Sequence, residues 1–128
     1  MNPRILLIED DANISDMLQR WLQELRFSVL AADDGLKGLE MFQQYRPELV
    51  LLDIAMPEMN GFEVASHIRQ LEEEEGQRRH TPIIVLSAYA QSYFVTVGSE
   101  VGIDSYLTKP VALDHLASQI GGFFAGAG

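Results

Sequence analysis

Five short apolar runs, each followed by an amphipathic pattern, constrain the fold more than any other feature of this sequence. They are Arg4 to Ile8, Phe27 to Ala31, Leu49 to Leu52, Pro82 to Leu86 and Ile103 to Leu107. Most are near-continuous Val, Ile and Leu, the pattern of strands buried on both faces rather than on one. Ile14, Met17, Leu18, Trp21, Leu22 and Leu25 then fall at helical spacings, as do Leu36, Leu39, Phe42 and Tyr45, and again Phe62, Ala65, Ile68 and Leu71. A weaker fourth helical pattern spans Gln91 to Val101, and Leu113, Leu116, Ile120 and Phe123 mark a fifth before a glycine-rich tail. Asp11 or Asn13 is placed to cap the first helix, Asp33 or Asp34 to start the second, and Pro47 to stop it.

Five strands alternating with five helices predict an α/β fold in which right-handed crossovers return every strand in the same direction. The result is a doubly wound, five-stranded parallel sheet. The 128 residues suffice for one domain, residues 1–128, and no second domain is expected within them, whether the chain stands alone or is a piece of a longer one. With no cysteine, the chain can build neither a disulfide nor a thiolate metal site. A net charge of -10 opposes direct nucleic-acid binding and attraction to an anionic membrane. No targeting segment or membrane-length apolar run is present in the sequence, so a cytoplasmic location is expected.

In a parallel sheet the carboxyl ends of the strands gather along one edge, where such folds bind ligands. The first strand ends in Glu9, Asp10 and Asp11, the third in Asp53, the fourth in Ser87, and the fifth leads to Thr108, Lys109 and Pro110. Each has an ordinary reading by itself: a helix cap, a turn hydroxyl, a solvated lysine. Their convergence at successive strand ends points to a site. Clustered carboxylates repel one another unless a cation neutralises them. The hard oxygen donors favour Mg2+ or Mn2+ over zinc, and a carboxylate-held Mg2+ suits phosphoryl chemistry. Asp53 is then a candidate nucleophile that needs no base, Lys109 a fixed cation for phosphoryl oxygens, and Ser87 a hydrogen-bond donor to one of them.

ILLIEDD (Ile5 to Asp11), LLDIAMPEMNG (Leu51 to Gly61), PIIVLSA (Pro82 to Ala88) and GIDSYLTKP (Gly102 to Pro110) together resemble the receiver domain of two-component response regulators, including the stand-alone chemotaxis type. The resemblance covers nearly the whole chain and implies a flavodoxin-like sheet in strand order 2-1-3-4-5. It also implies that Asp53 accepts a phosphoryl group from a sensor histidine kinase or a histidine phosphotransfer protein. Asp10 and Asp53 would bind Mg2+ directly, Glu9 through water, and Ala55 through its main-chain carbonyl. Ser87 and Tyr106 would form the switch, Lys109 the conserved-type cation, and Lys109-Pro110 a cis bond. Output would then pass through the surface of the fourth helix, fifth strand and fifth helix to a downstream protein whose identity is unknown.

Several positions depart from common receivers. The loop from Glu72 to Thr81 is longer than usual, by about six residues counted between Gly61 and Ser87, and its EEEEGQRRH stretch, Glu72 to His80, reads as a solvated helix end and loop. Its four successive glutamates oppose the helix dipole, so fraying is expected there. After Arg79 the only basic residues are His80, Lys109 and His115, which disfavours the salt-bridged dimer of winged-helix regulators. Tyr93, Phe94, Val97 and Val101 suggest a more apolar output face, while Ala55 and Tyr89 stand where this family screens the hydrolytic water.

Other readings fit less well. A phosphohydrolase of the haloacid dehalogenase type needs a second Asp where Ala55 stands. A flavin carrier needs a Gly- and Ser-rich phosphate loop where EDDA stands. A receiver that binds partners without phosphorylation would have no use for Asp10, Asp53, Ser87 and Lys109 together.

Overall fold

The computed structural model describes residues 2–54, 59–76, 80–87 and 101–126. Its strands are β1 (Arg4–Ile8), β2 (Ser28–Ala32), β3 (Leu49–Asp53), β4 (Ile83–Ser87) and β5 (Ser105–Thr108). All neighbours pair in parallel, in the order β2-β1-β3-β4-β5. The flavodoxin-like order is therefore present, and each strand lies within two residues of its expected bounds.

Among the described residues there are four helices: α1 (Ala12–Glu24), α2 (Gly35–Tyr45), α3 (Gly61–Glu74) and α4 (Leu113–Gly126). The last is the fifth helix of the sequence pattern. The expected helix over Gln91 to Val101 lies outside the described residues except for Val101, as do Ala55, Tyr89, Tyr93, Phe94 and Val97.

Strand side chains alternate between two cores because consecutive residues point to opposite faces. Leu6, Ile8, Val50, Leu52, Ile83 and Val85 pack with Phe42, Val64, Ala65 and Ile68 of α2 and α3. Ile5, Leu7, Leu49, Leu51, Ile84 and Leu86 pack with Leu18 and Leu22 of α1 and Leu116 and Ile120 of α4. Burying each such Leu or Ile side chain contributes about 2 kcal/mol. This accounts for the unbroken apolar runs: a polar residue at either parity would face a helix-covered core.

Helix starts follow from short acidic or amide side chains that accept otherwise unpaired amide protons. Asp11 caps α1 by accepting from the Asn13 and Ile14 amides at 2.9 and 3.0 Å. Asp34 caps α2 through the Lys37 amide at 2.8 Å. Asn60 and Glu63 form a reciprocal capping box on α3.

At the end of α3 the expected solvated glutamates are Glu73, Glu74 and Glu75, which are exposed, whereas Glu72 departs from that expectation. The helix runs on through Glu74, and Glu72 is only 7% exposed. Its carboxylate accepts from Arg69 Nη1 at 2.6 Å and from the Thr81 amide at 2.7 Å. A cation one turn away and a buried amide outweigh the unfavourable helix dipole, which is worth only about 0.3–1 kcal/mol.

Candidate functional site

The strand order reverses between β1 and β3, so the loops leaving these neighbours diverge and open a crevice at the carboxyl edge of the sheet. Glu9 directly follows β1 and prolongs its ladder by donating its amide to the Ala32 carbonyl at 3.0 Å. Asp53 is the last residue of β3 and Ser87 the last of β4. Lys109 directly follows β5, and its amide donates to the Ser87 carbonyl at 2.6 Å. Backbone pairing thus delivers each group to the same edge.

Carboxylate oxygens of Glu9, Asp10 and Asp53 come within 4.8 Å of one another. Lys109 Nζ reaches between two of them, 3.1 Å from Glu9 Oε1 and 3.3 Å from Asp53 Oδ1. Glu9, Asp53 and Ser87 are buried, at 1%, 5% and 2% exposure, whereas Asp10 is exposed. Beside this cluster an open groove of about 670 Å3 is lined by Glu9, Asp10, Ser15, Gln19, Asp33 and Lys37 among others. Asp33 and Lys37, joined at 2.9 Å, were not anticipated at this edge. Their signal in the sequence was only an ordinary helical Asp-Lys spacing.

Ionised, the three carboxylates against one ammonium leave a local charge of minus two. The strain shows in Glu9, whose carboxyl rises from its ordinary 4.5 to about 7. Burial is the main cause, followed by the hydrogen bond and charge of Asp53; the bonds from Lys109 and the Asp11 amide oppose them without prevailing. For Lys109, burial works against the charged form, but the bonds and charges of Glu9 and Asp53 outweigh it and raise its pKa. The excess negative charge, the hard oxygen donors and the close spacing fit a divalent cation such as Mg2+. Ala55, the expected carbonyl ligand, lies outside the described residues.

Tyr106 lies on β5 opposite Val85, two residues before the Ser87-Thr108 pairing. Its ring is half-buried against the core under α2 and α3, and burial pushes its hydroxyl up to about 12, so it is a neutral donor at physiological pH. The Lys109-Pro110 bond is cis, as the resemblance implies.

A family model, the response regulator receiver domain, matches residues 5–121. The chain belongs to this family. It is 34% identical over 118 residues to the DNA-binding dual master transcriptional regulator RpaA of Synechocystis, covering 92% of this chain and 47% of that protein. A probable transcriptional regulatory protein of Picosynechococcus is 41% identical over 125 residues, 91% of this chain and 47% of its own length. The receiver therefore spans about half the length of these curated relatives. Among solved structures, Vibrio cholerae chemotaxis protein CheY4 superposes with a TM-score of 0.86 at 27% identity, covering 94% of this chain and 98% of that one. Membership places the chain in two-component signalling as a receiver, a signalling switch. No helix among the described residues is long and apolar enough to cross a membrane.

Proposed function

We propose that this receiver is switched by phosphorylation of Asp53, supplied by a phosphohistidine on a sensor kinase or phosphotransfer protein. The observation that carries the reading is the bridge of Lys109 Nζ between Glu9 and Asp53, beside the exposed Asp10. In the reaction an Asp53 carboxylate oxygen forms a bond to phosphorus as the phosphorus–nitrogen bond of the donor breaks, and the imidazole leaves with that electron pair. Asp10 and Asp53 would hold Mg2+, with Glu9 acting through water and the Ala55 carbonyl completing the set; Mn2+ has the same donor preference. The cation, when bound, neutralises charge on the phosphoryl oxygens. Lys109 supplies the second positive charge from the opposite side, and the Ser87 hydroxyl donates to a phosphoryl oxygen. Movement of Ser87 biases Tyr106 on the adjacent strand, and the surface around β5 is the output that a downstream protein reads.

Incubation with Mg2+ and a small acyl phosphate should add one phosphoryl mass to the intact protein, and Asp53→Asn should abolish it. No gain in the wild type, or an equal gain in the variant, refutes Asp53 as the acceptor.

A further inference from the structure

The long segment between α3 and β4 ends in a polar hub at the amino edge of the sheet, opposite the phosphoacceptor. Arg69 of α3 makes five hydrogen bonds there, using all five of its N–H donors. Nε and Nη2 donate to the Gly102 carbonyl at 3.0 and 2.8 Å, and Nη2 also donates to Asp104 Oδ2 at 2.8 Å. Nη1 donates to Glu72 Oε1 at 2.6 Å and to the Thr81 carbonyl at 2.9 Å. Asp104 Oδ2 accepts in addition from the Ile83 amide, and Asp104 Oδ1 meets His80 Nε2, each at 2.8 Å. Gly102 is fitted to the hub in two ways. Its φ of +87° suits glycine, and a Cβ there would stand 2.9 Å from Arg69 Nε.

These partners immediately precede β4 and β5, and β5 needs such fixing. It is the shortest strand among the described residues, lies at an edge of the sheet, and of its four residues only Leu107 is buried. Register is weakly specified where few side chains are buried, and a slip of one residue turns every side chain to the opposite face. For β5 that slip would turn Tyr106 out of its core and displace Lys109 by about 3.3 Å, the rise of one residue.

We propose that Arg69, acting with Asp104, is a positioning residue that sets the register of β5 and so places Tyr106 and Lys109 at the far end of the strand. Glu72 of α3 joins the hub with His80 and Thr81, which lead into β4. The consequence for switching rests on the phosphoacceptor reading above; the register role does not.

The test uses the full chain with Arg69→Met, Arg69→Lys and, as a control, the core variant Leu18→Ala, whose buried side chain lies on the other face of the sheet. Amide hydrogen exchange is read at Tyr106 and at Lys109, whose amide is bonded to Ser87. Arg69→Met should speed exchange at both by about tenfold beyond what its loss of global stability explains, as judged against Leu18→Ala, and Arg69→Lys should partly restore it. Phosphoryl gain from an acyl phosphate at saturating Mg2+ should slow by about fivefold because Lys109 is misplaced. Exchange at Tyr106 and Lys109 that merely follows global stability overturns the proposal. If Arg69→Met does not fold, Arg69→Lys decides it by the same comparison. Absence of phosphoryl gain in the wild type defeats the Asp53 reading alone, since the exchange comparison still judges Arg69.

Discussion

Raising the pH of the metal-free receiver from below 4.5 to above 7 should remove the stability that a protonated Glu9 provides. The Glu9 carboxyl is 1% exposed and stands beside Asp53, and these two influences lift it from 4.5 to about 7. Because the folded protein holds this proton more tightly than the unfolded chain does, protonation favours the fold. The contribution is fully present below pH 4.5 and is lost as pH rises through 7. At 1.36 kcal/mol per pH unit the loss amounts to roughly 3 kcal/mol, a large part of the stability of a small domain. The measured quantity is the difference between wild type and Glu9→Gln, which keeps a neutral side chain of similar shape and cancels pH effects arising elsewhere. Urea unfolding in a chelator at pH 5 to 8 should show the variant gaining on the wild type by up to about 3 kcal/mol as pH rises. Saturating Mg2+ should flatten the difference, because a divalent charge beside Glu9 favours its ionised form. A difference that is constant with pH, or that moves in the wild type's favour, refutes the argument from burial and from Asp53.

Two further outcomes follow from the same geometry. Lys109→Met removes an ammonium 3.1 Å from Glu9 and 3.3 Å from Asp53, so Mg2+ should bind about tenfold more tightly in a calorimetric titration. Unchanged or weaker affinity would mean that the lysine and the cation do not share this cluster. Asp34→Ala deletes the bond to the Lys37 amide at 2.8 Å that starts α2, and should lower stability by about 1 kcal/mol in urea unfolding. An unmoved midpoint would show the cap to be redundant.

The parts of the fold legible in the sequence were those governed by local periodicity and by strand direction. Val50, Leu52 and Ile83 on one face, with Leu49, Leu51 and Ile84 on the other, must be apolar in a sheet covered twice. The same geometry brought Glu9, Asp53, Ser87 and Lys109 together, because parallel strands deliver their carboxyl ends to one edge whatever their separation along the chain. What periodicity could not convey was that Lys109 lies against Glu9 as closely as against Asp53. That contact depends on side-chain reach across two strand ends rather than on position in the pattern.

The segment around Glu72 shows why the rest was hidden. In the sequence its glutamates look equivalent, and a run of like charges is ordinarily solvated. Only Glu72 faces inward, and it does so because Arg69, three residues earlier on the helix, needs an acceptor in the space where Thr81 returns the chain to the sheet. Arg69 in turn meets Asp104, 35 residues further along. Neither spacing is periodic, so no local pattern can flag it. Strand register at an edge is a non-local property, and the proposed clamp is a partly buried cation whose partners come from three separate stretches of chain. A carboxyl-edge site is visible because topology repeats one rule five times; an amino-edge clamp is invisible because it is made once.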